Sequence, residues 1–129
     1  MHPTVVAEIM VGLEHACGKV TRDPNTDLLT VNDEFTAAVV LSRCRIAPSG
    51  TRRWLIRLDE CLTPDITVAV RLEPGETAAL DYYLLPSIDL QLSSLRLRQA
   101  NGFGLDAFRF DTLEPFFDLA ARTPIRRMA

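Results

Sequence analysis

Lysine is almost missing from this chain of 129 residues: of its fourteen basic residues only Lys19 is lysine, and the other thirteen are arginine. GC-rich coding produces that bias; so does a need for planar, bidentate recognition of carboxylate or phosphate, which arginine does better than lysine. Histidine is scarce, with His2 and His15 too few and too far apart for a recognisable metal motif. Three cysteines, Cys17, Cys44 and Cys61, form no CxxC pair, a pattern that fits reduced, buried thiols in a cytosolic protein. No apolar run reaches the ~18 residues a membrane helix needs. The first residues lack a basic stretch followed by a long apolar one, so no signal peptide is read. The expectation is a soluble, cytoplasmic protein with no membrane contact, metal or cofactor.

What is present is ordinary globular material. Hydrophobic residues make up 47 % and charged residues 24 %, enough to bury a core without disulfides. The length suits one domain, so residues 1–129 are read as a single unit with 124–129 as a frayed tail. The net charge of −3 argues against a uniformly basic nucleic-acid binder and leaves room for a local basic patch.

Apolar spacing predicts a helix over 4–17, with Thr4 as its cap and Val6, Ile9, Met10, Leu13, Ala16 and Cys17 as its stripe. Gly18 ends it and "TRDPNTD" follows as turn. Strands are predicted over 35–47, 52–59, 65–73 and 78–85, separated by "PSG", "ECLTPD" and "EPGE". Residues 93–100 read as a short helix capped by Ser93 or Ser94, with an extended "LRLR" as the other choice; "LDAFRF" reads as a fifth strand. Asp111 and Glu114 form a capping box for a helix with Leu113, Phe116, Phe117, Ala120 and Ala121 on its face. Short connections favour an antiparallel meander of four to five strands, packed by the N- and C-terminal helices: an α+β domain.

Enzyme signatures are sparse. GxxxxGK[ST], a GxGxxG opening a helix, GxSxG and HExxH are all absent. "NGFG" precedes a strand and reads as a turn. His15 lies near Glu14 and Cys17, which by itself is the picture of a helix histidine beside a cysteine. Asp59, Asp65, Glu73 and Asp81 fall at strand ends, and "PDITVAVRLE" loosely resembles the acidic core of restriction-endonuclease-like folds. The acid-x-lysine that such metal-dependent chemistry uses is missing, so these acids are read as partners of arginines on neighbouring strands.

The arginines are the candidate site. Alternation sets Trp54, Ile56 and Leu58 on one face of the second strand and Arg53, Leu55, Arg57 and Asp59 on the other. On the third strand Thr67, Ala69, Arg71 and Glu73 share a face, and Arg43 and Arg45 lie together on the first. In a meander these arginines line up across one sheet face, either solvated and neutralised by Asp59 and Glu73, or free. Tyr82 and Tyr83 point to opposite faces, so one of them, taken here as Tyr82, reaches the arginines and offers a stacking surface. The candidate binding residues are Arg43, Arg45, Arg53, Arg57, Arg71 and Tyr82, and no catalytic residue is assigned.

"WLIRLDECLTPDITVAVRLE", "DYYLLPSIDL" and "NGFGLDAFRFDTLEPFFDLAART", spanning roughly residues 40–123, resemble a domain of bacterial mobile-element proteins labelled as recombinases. The resemblance implies a DNA-recombination context. It carries no catalytic residues, since neither the catalytic set of serine recombinases nor the arginine–histidine–tyrosine set of tyrosine recombinases can be placed here. The expected function is a non-enzymatic accessory domain that contacts nucleic acid or an acidic protein partner through its arginine face. The alternative is a protein–protein module, a homodimer or an inhibitor of a nucleic-acid enzyme, that does not touch nucleic acid itself.

Overall fold

The structure, a computed structural model, describes residues 3–26, 28–57, 64–75, 78–86, 94–98 and 107–122. Helix α1 runs Pro3–Cys17 and α2 Phe116–Arg122; the strands are β1 (Val20–Arg22), β2 (Leu29–Val31), β3 (Phe35–Ser42), β4 (Cys44–Ile46), β5 (Arg52–Arg57), β6 (Ile66–Leu72), β7 (Ala79–Pro86), β8 (Ser94–Arg98) and β9 (Arg109–Phe110). Six strands form a mixed sheet in the order β1-β2-β3-β6-β7-β9, and β4-β5-β8 form a separate sheet.

Helix α1 starts with Pro3 in its first turn, where a missing N–H costs nothing. Its Val5, Ile9 and Leu13 are buried against the large sheet, each contributing about 2 kcal/mol by leaving water. The helix closes with Gly18 N donating to Glu14 O at 2.9 Å. Gly18 has φ 119, and a Cβ there would sit 2.8 Å from Asn32 Oδ1. Helix α2 begins later than the Asp111–Glu114 box suggests: a turn closed by Phe116 N to Leu113 O precedes it, and the helix runs on behind Pro115. Leu113, Phe116 and Ala120 join the same core as α1.

Two short strands open the large sheet: β1, whose Thr21 and Arg22 the sequence reading gave to a turn, and β2, to which it gave no element. The β2–β3 turn is Val31–Asn32–Asp33–Glu34, with Glu34 N donating to Val31 O at 3.0 Å. Asn32 and Asp33 both have positive φ, 56 and 55, the backbone of a type I′ turn, whose twist matches that of a hairpin. Asn32 also ties α1 to the sheet, its Nδ2 donating to Cys17 O and its Oδ1 accepting from Lys19 N.

The predicted antiparallel meander is not the fold. Residues 35–47 are not one strand, because the chain changes sheet at Arg43. β3 pairs with β2 on one side and, in parallel, with β6 on the other, so the hairpin neighbours it was expected to have are displaced. Parallel strands need a crossover over one face of the sheet. Here the β4–β5 hairpin lies in that crossover, with Ser42 Oγ donating to Leu55 O at 2.9 Å where the chain leaves the large sheet. The hairpin turns as the sequence indicates: Gly50 N donates to Ala47 O across Pro48 and Ser49, and Gly50 takes φ 86. The segment expected as a short helix is β8, paired with β5.

The result is three layers. α1 and α2 cover one face of the large sheet, over Ile66, Val68, Val70, Leu72 and Leu84. The small sheet covers the other, with Trp54 and Ile56 packed on Ala69, Tyr83 and Leu85. β6 is therefore buried at every residue. Among the described residues no helix is long and apolar enough to cross a membrane.

Candidate functional site

β5 alternates as its sequence implies. Trp54 and Ile56 are buried under the small sheet, while Arg53 and Leu55 are exposed. In the antiparallel pair of β4 with β5, Arg45 and Arg53 are direct Cα partners. On the far side of β5, Arg98 is the Cα partner of Arg53. Three arginine positions thus stand at one level across three strands. Like charges directly opposite one another destabilise a strand pair, so the local structure gains nothing from this row. Arg45 and Arg53 are exposed, and among the described residues neither has an ion-pair or side-chain hydrogen-bond partner.

The charge distribution isolates this layer. Residues 43–57 and 94–98 hold seven of the thirteen arginines and none of the seventeen acidic residues. The chain's net charge of −3 therefore divides into +7 here and −10 elsewhere. Beside Arg45 and Arg53 lies a shallow concavity of about 300 Å³, lined among the described residues by Arg45, Ile46, Ala47, Arg53, Trp54 and Leu55. Ile46 is 60 % exposed and Leu55 37 %.

The other sequence candidates go elsewhere. Arg43 stands exposed at the junction of the sheets and already has an interaction partner. Arg57 is placed by its backbone at the end of β5, opposite Ser94. Arg71 is 2 % exposed, between the sheets. Its face of β6 is the predicted one, but the second layer covers that face. Nε and Nη2 of Arg71 grip both oxygens of its cross-strand partner Asp81, at 2.7 and 2.5 Å. The guanidinium lies over Trp54, 4.6 Å from the ring centroid, and 5.2 Å from that of Tyr83. Burial works against the charge on Arg71, yet the hydrogen bond and charge of Asp81 hold its pKa above the ordinary arginine value. Arg109, half-exposed, donates to the same Asp81 oxygen at 3.0 Å, and its pKa is raised chiefly by that bond.

Tyr82 lies on the helix side of the large sheet, packed against the core that includes α1. Burial, then the negative charge of Glu8, pushes its phenol pKa up. Tyr83 is the one that faces the small sheet. The alternation of β7 carried that signal, since Tyr83 shares parity with Asp81. The strand-end acids are not gathered into one site. Asp65, at the start of β6, accepts from Thr36 N at 2.8 Å and pins β6 to β3. Asp81 sits beside the far end of β6, roughly 20 Å along the strand at the usual rise. Glu73 is exposed and Asp59 lies outside the described residues, as do the "NGFG" segment and residues 124–129. His15 is exposed on the last turn of α1. Among the described residues no three His, Cys, Asp or Glu side chains are grouped to hold a metal ion.

A mixed sheet covered by helices on one face and by a small basic sheet on the other defines the architecture. No family model matches the chain, and no curated protein matches it. Among solved structures it is similar to a bacterial homing endonuclease, I-Ssp6803I, with a TM-score of 0.57 and 16 % identity, over 95 % of this chain and 90 % of that one. The likeness covers nearly the whole chain and is a likeness of fold. No recombinase family match stands behind the resemblance read from the sequence.

Proposed function

We propose that this protein contacts nucleic acid through the outer face of the β4-β5-β8 sheet, in the setting of a mobile element. The carrying observation is the pair Arg45 and Arg53, directly opposed, exposed and without a partner among the described residues, in segments 43–57 and 94–98 that hold no acidic residue. Such a surface repels itself and is relieved by a polyanion. Each phosphate contacted by a guanidinium gains a charge-assisted hydrogen bond and releases a counterion. The acidic remainder of the molecule restricts binding to this face and opposes coating of the whole surface. The fold shared with a protein named a homing endonuclease supports the setting. That neighbour is by its name an enzyme, which weighs against the expectation of a non-enzymatic domain; the proposal concerns binding and carries no catalytic step.

The test is fluorescence anisotropy with labelled DNA and RNA between about 20 and 200 mM salt, the range over which phosphate contacts lose most of their strength. Binding at low salt that weakens along a linear log–log plot is the expected result. No binding to either polymer at the lowest salt refutes the reading.

A further inference from the structure

The β4–β5 hairpin outruns the sheet beneath it. Cys44 and Trp54 are Cα partners, and Ile46 and Arg52 are the next pair on the same face, nearer the turn. Trp54 is 1 % exposed and packed on the large sheet, whereas Ile46 is 60 % exposed. Cover by the large sheet therefore stops between these two pairs. Beyond them Pro48, Ser49, Gly50 and Thr51 are all exposed, and a Cβ on Gly50 would meet nothing within 4 Å. The projecting tip is slim, since Ala47, Pro48, Ser49, Gly50 and Thr51 all have small side chains. The hydroxyls of Ser49 and Thr51 lie 3.0 Å apart in a hydrogen bond at its end.

Charge stands on both faces of this finger. Arg45 and Arg53 share the outer face with each other. Arg52, the partner of Ile46, belongs to the opposite face; it is half-buried and has no ion-pair or side-chain hydrogen-bond partner among the described residues. A polyanion laid flat on the outer face leaves Arg52 unused. A polyanion with two walls uses both faces. The major groove of B-form DNA is such a cleft, about 12 Å wide and 8.5 Å deep, and it admits a two-stranded ribbon. From the level of Arg45 to Pro48 at the turn the chain advances about 10 Å, at ~3.4 Å per residue, which matches the depth.

We infer that the hairpin tip enters the major groove of duplex DNA end-on, with Arg45 and Arg53 on the phosphates of one strand, Arg52 on those of the other, and the hydroxyls of Ser49 and Thr51 at base edges. The inference rests on the nucleic-acid reading above and narrows it to the B-form duplex. The absence of acidic residues from 43–57 spares the tip repulsion from either wall. A hydroxyl both donates and accepts, so it pairs with any base edge and gives only a weak sequence preference. The major groove of duplex RNA is too narrow for a ribbon, and a single strand offers Arg52 no second wall.

The experiment measures affinity at one low salt concentration for a DNA duplex, an RNA duplex of the same sequence, and the DNA duplex with its cytosines replaced by glucosylated hydroxymethylcytosine. The sugar of that base sits where thymine carries its methyl group and fills the major groove alone. Binding to the plain DNA duplex is expected to be about tenfold tighter than to either of the other two. The salt dependence is then compared between the wild type and Arg52→Met, which removes the charge and keeps the aliphatic stem; circular dichroism and the melting temperature verify the fold. On the DNA duplex the variant is expected to lower the slope of log affinity against log salt by about one, and on single-stranded DNA to leave it unchanged. Equal affinity for all three duplexes, or a folded Arg52→Met with the wild-type slope on duplex DNA, overturns the inference and leaves the phosphate-binding face standing. The comparison of duplexes needs no variant and decides the matter if Arg52→Met does not fold. Absence of binding to every nucleic acid, with or without binding of an acidic protein in its place, removes both readings together.

Discussion

Asp81 is a single carboxylate shared by two guanidiniums, one buried with it and one reaching in from the surface. Removing the acid leaves Arg71 charged and almost fully buried, so Asp81→Asn is expected to cost about 3–5 kcal/mol, measured by urea unfolding. Replacing both partners with apolar residues, Arg71→Met with Asp81→Leu, is expected to restore most of that loss, because neither charge then has to leave water. Arg109 is half-exposed and regains hydration when released, so Arg109→Ala is expected to cost no more than about 1 kcal/mol. Tyr82 makes a pH prediction. Its folded pKa lies above the unfolded value of about 10, so the native state keeps a proton that the unfolded chain gives up. The stability tied to that proton is complete below about pH 10 and is lost as pH rises through the folded pKa. Tyr82→Phe is expected to flatten the alkaline limb of the stability curve; an unchanged limb in equilibrium unfolding from pH 9 to 11 would rule this out.

At the scale of elements, the β2–β3 turn and the end of α1 are held by one residue. Asn32 adopts positive φ, accepts from Lys19 N and donates to Cys17 O. Alanine there loses both bonds and is strained in the left-handed region, so Asn32→Ala is expected to destabilise by about 2 kcal/mol. Asn32→Gly, relieved of the strain, is expected to lose less, and the order of the two variants in chemical denaturation is the check. Gly12 is the contact point of α1 with the segment before α2, where a Cβ would lie 2.9 Å from Leu113 Cδ1. The helix gains propensity from Gly12→Ala, about 1 kcal/mol in an open site, but Leu113 is buried and has to move. A melting temperature at or below the wild-type value is expected, and a rise of several degrees would show that the two helices have slack between them.

Across the whole molecule the charge is divided by layer. Seven arginines and no acids lie in the small sheet with its hairpin and Arg43, against a net −10 in the rest. The net charge of −3 hides this division, which is why composition alone argued against a basic binder. If the face works through phosphates, Arg45→Ala with Arg53→Ala is expected to lower the slope of log affinity against log salt by about one to two. An equal substitution of exposed arginines away from this layer is expected to leave the slope unchanged. Arg71, although on the parity predicted for the binding face, belongs to the interior, and no variant of it tests the surface without first testing the fold.

Local periodicity and turn chemistry were readable from the chain by itself. The 3.6-residue stripe of α1, the turns at Pro48–Gly50 and Pro74–Gly75, and the alternation that turns Trp54 and Ile56 in and Arg53 and Leu55 out all depend on neighbours in sequence. Which strand lies beside which was decided only in three dimensions. A period of two is the same whether a strand pairs with its hairpin neighbour or, as β3 does with β6, with one that returns in parallel after a crossover. The same limit hid the fate of Arg71. Its side of β6 was legible, but a face is open or covered according to whether another layer packs on it, and here the small sheet does. The arginine row across β4, β5 and β8 needed both: alternation to turn Arg53 outward, and the tertiary pairing to set Arg45 directly opposite it.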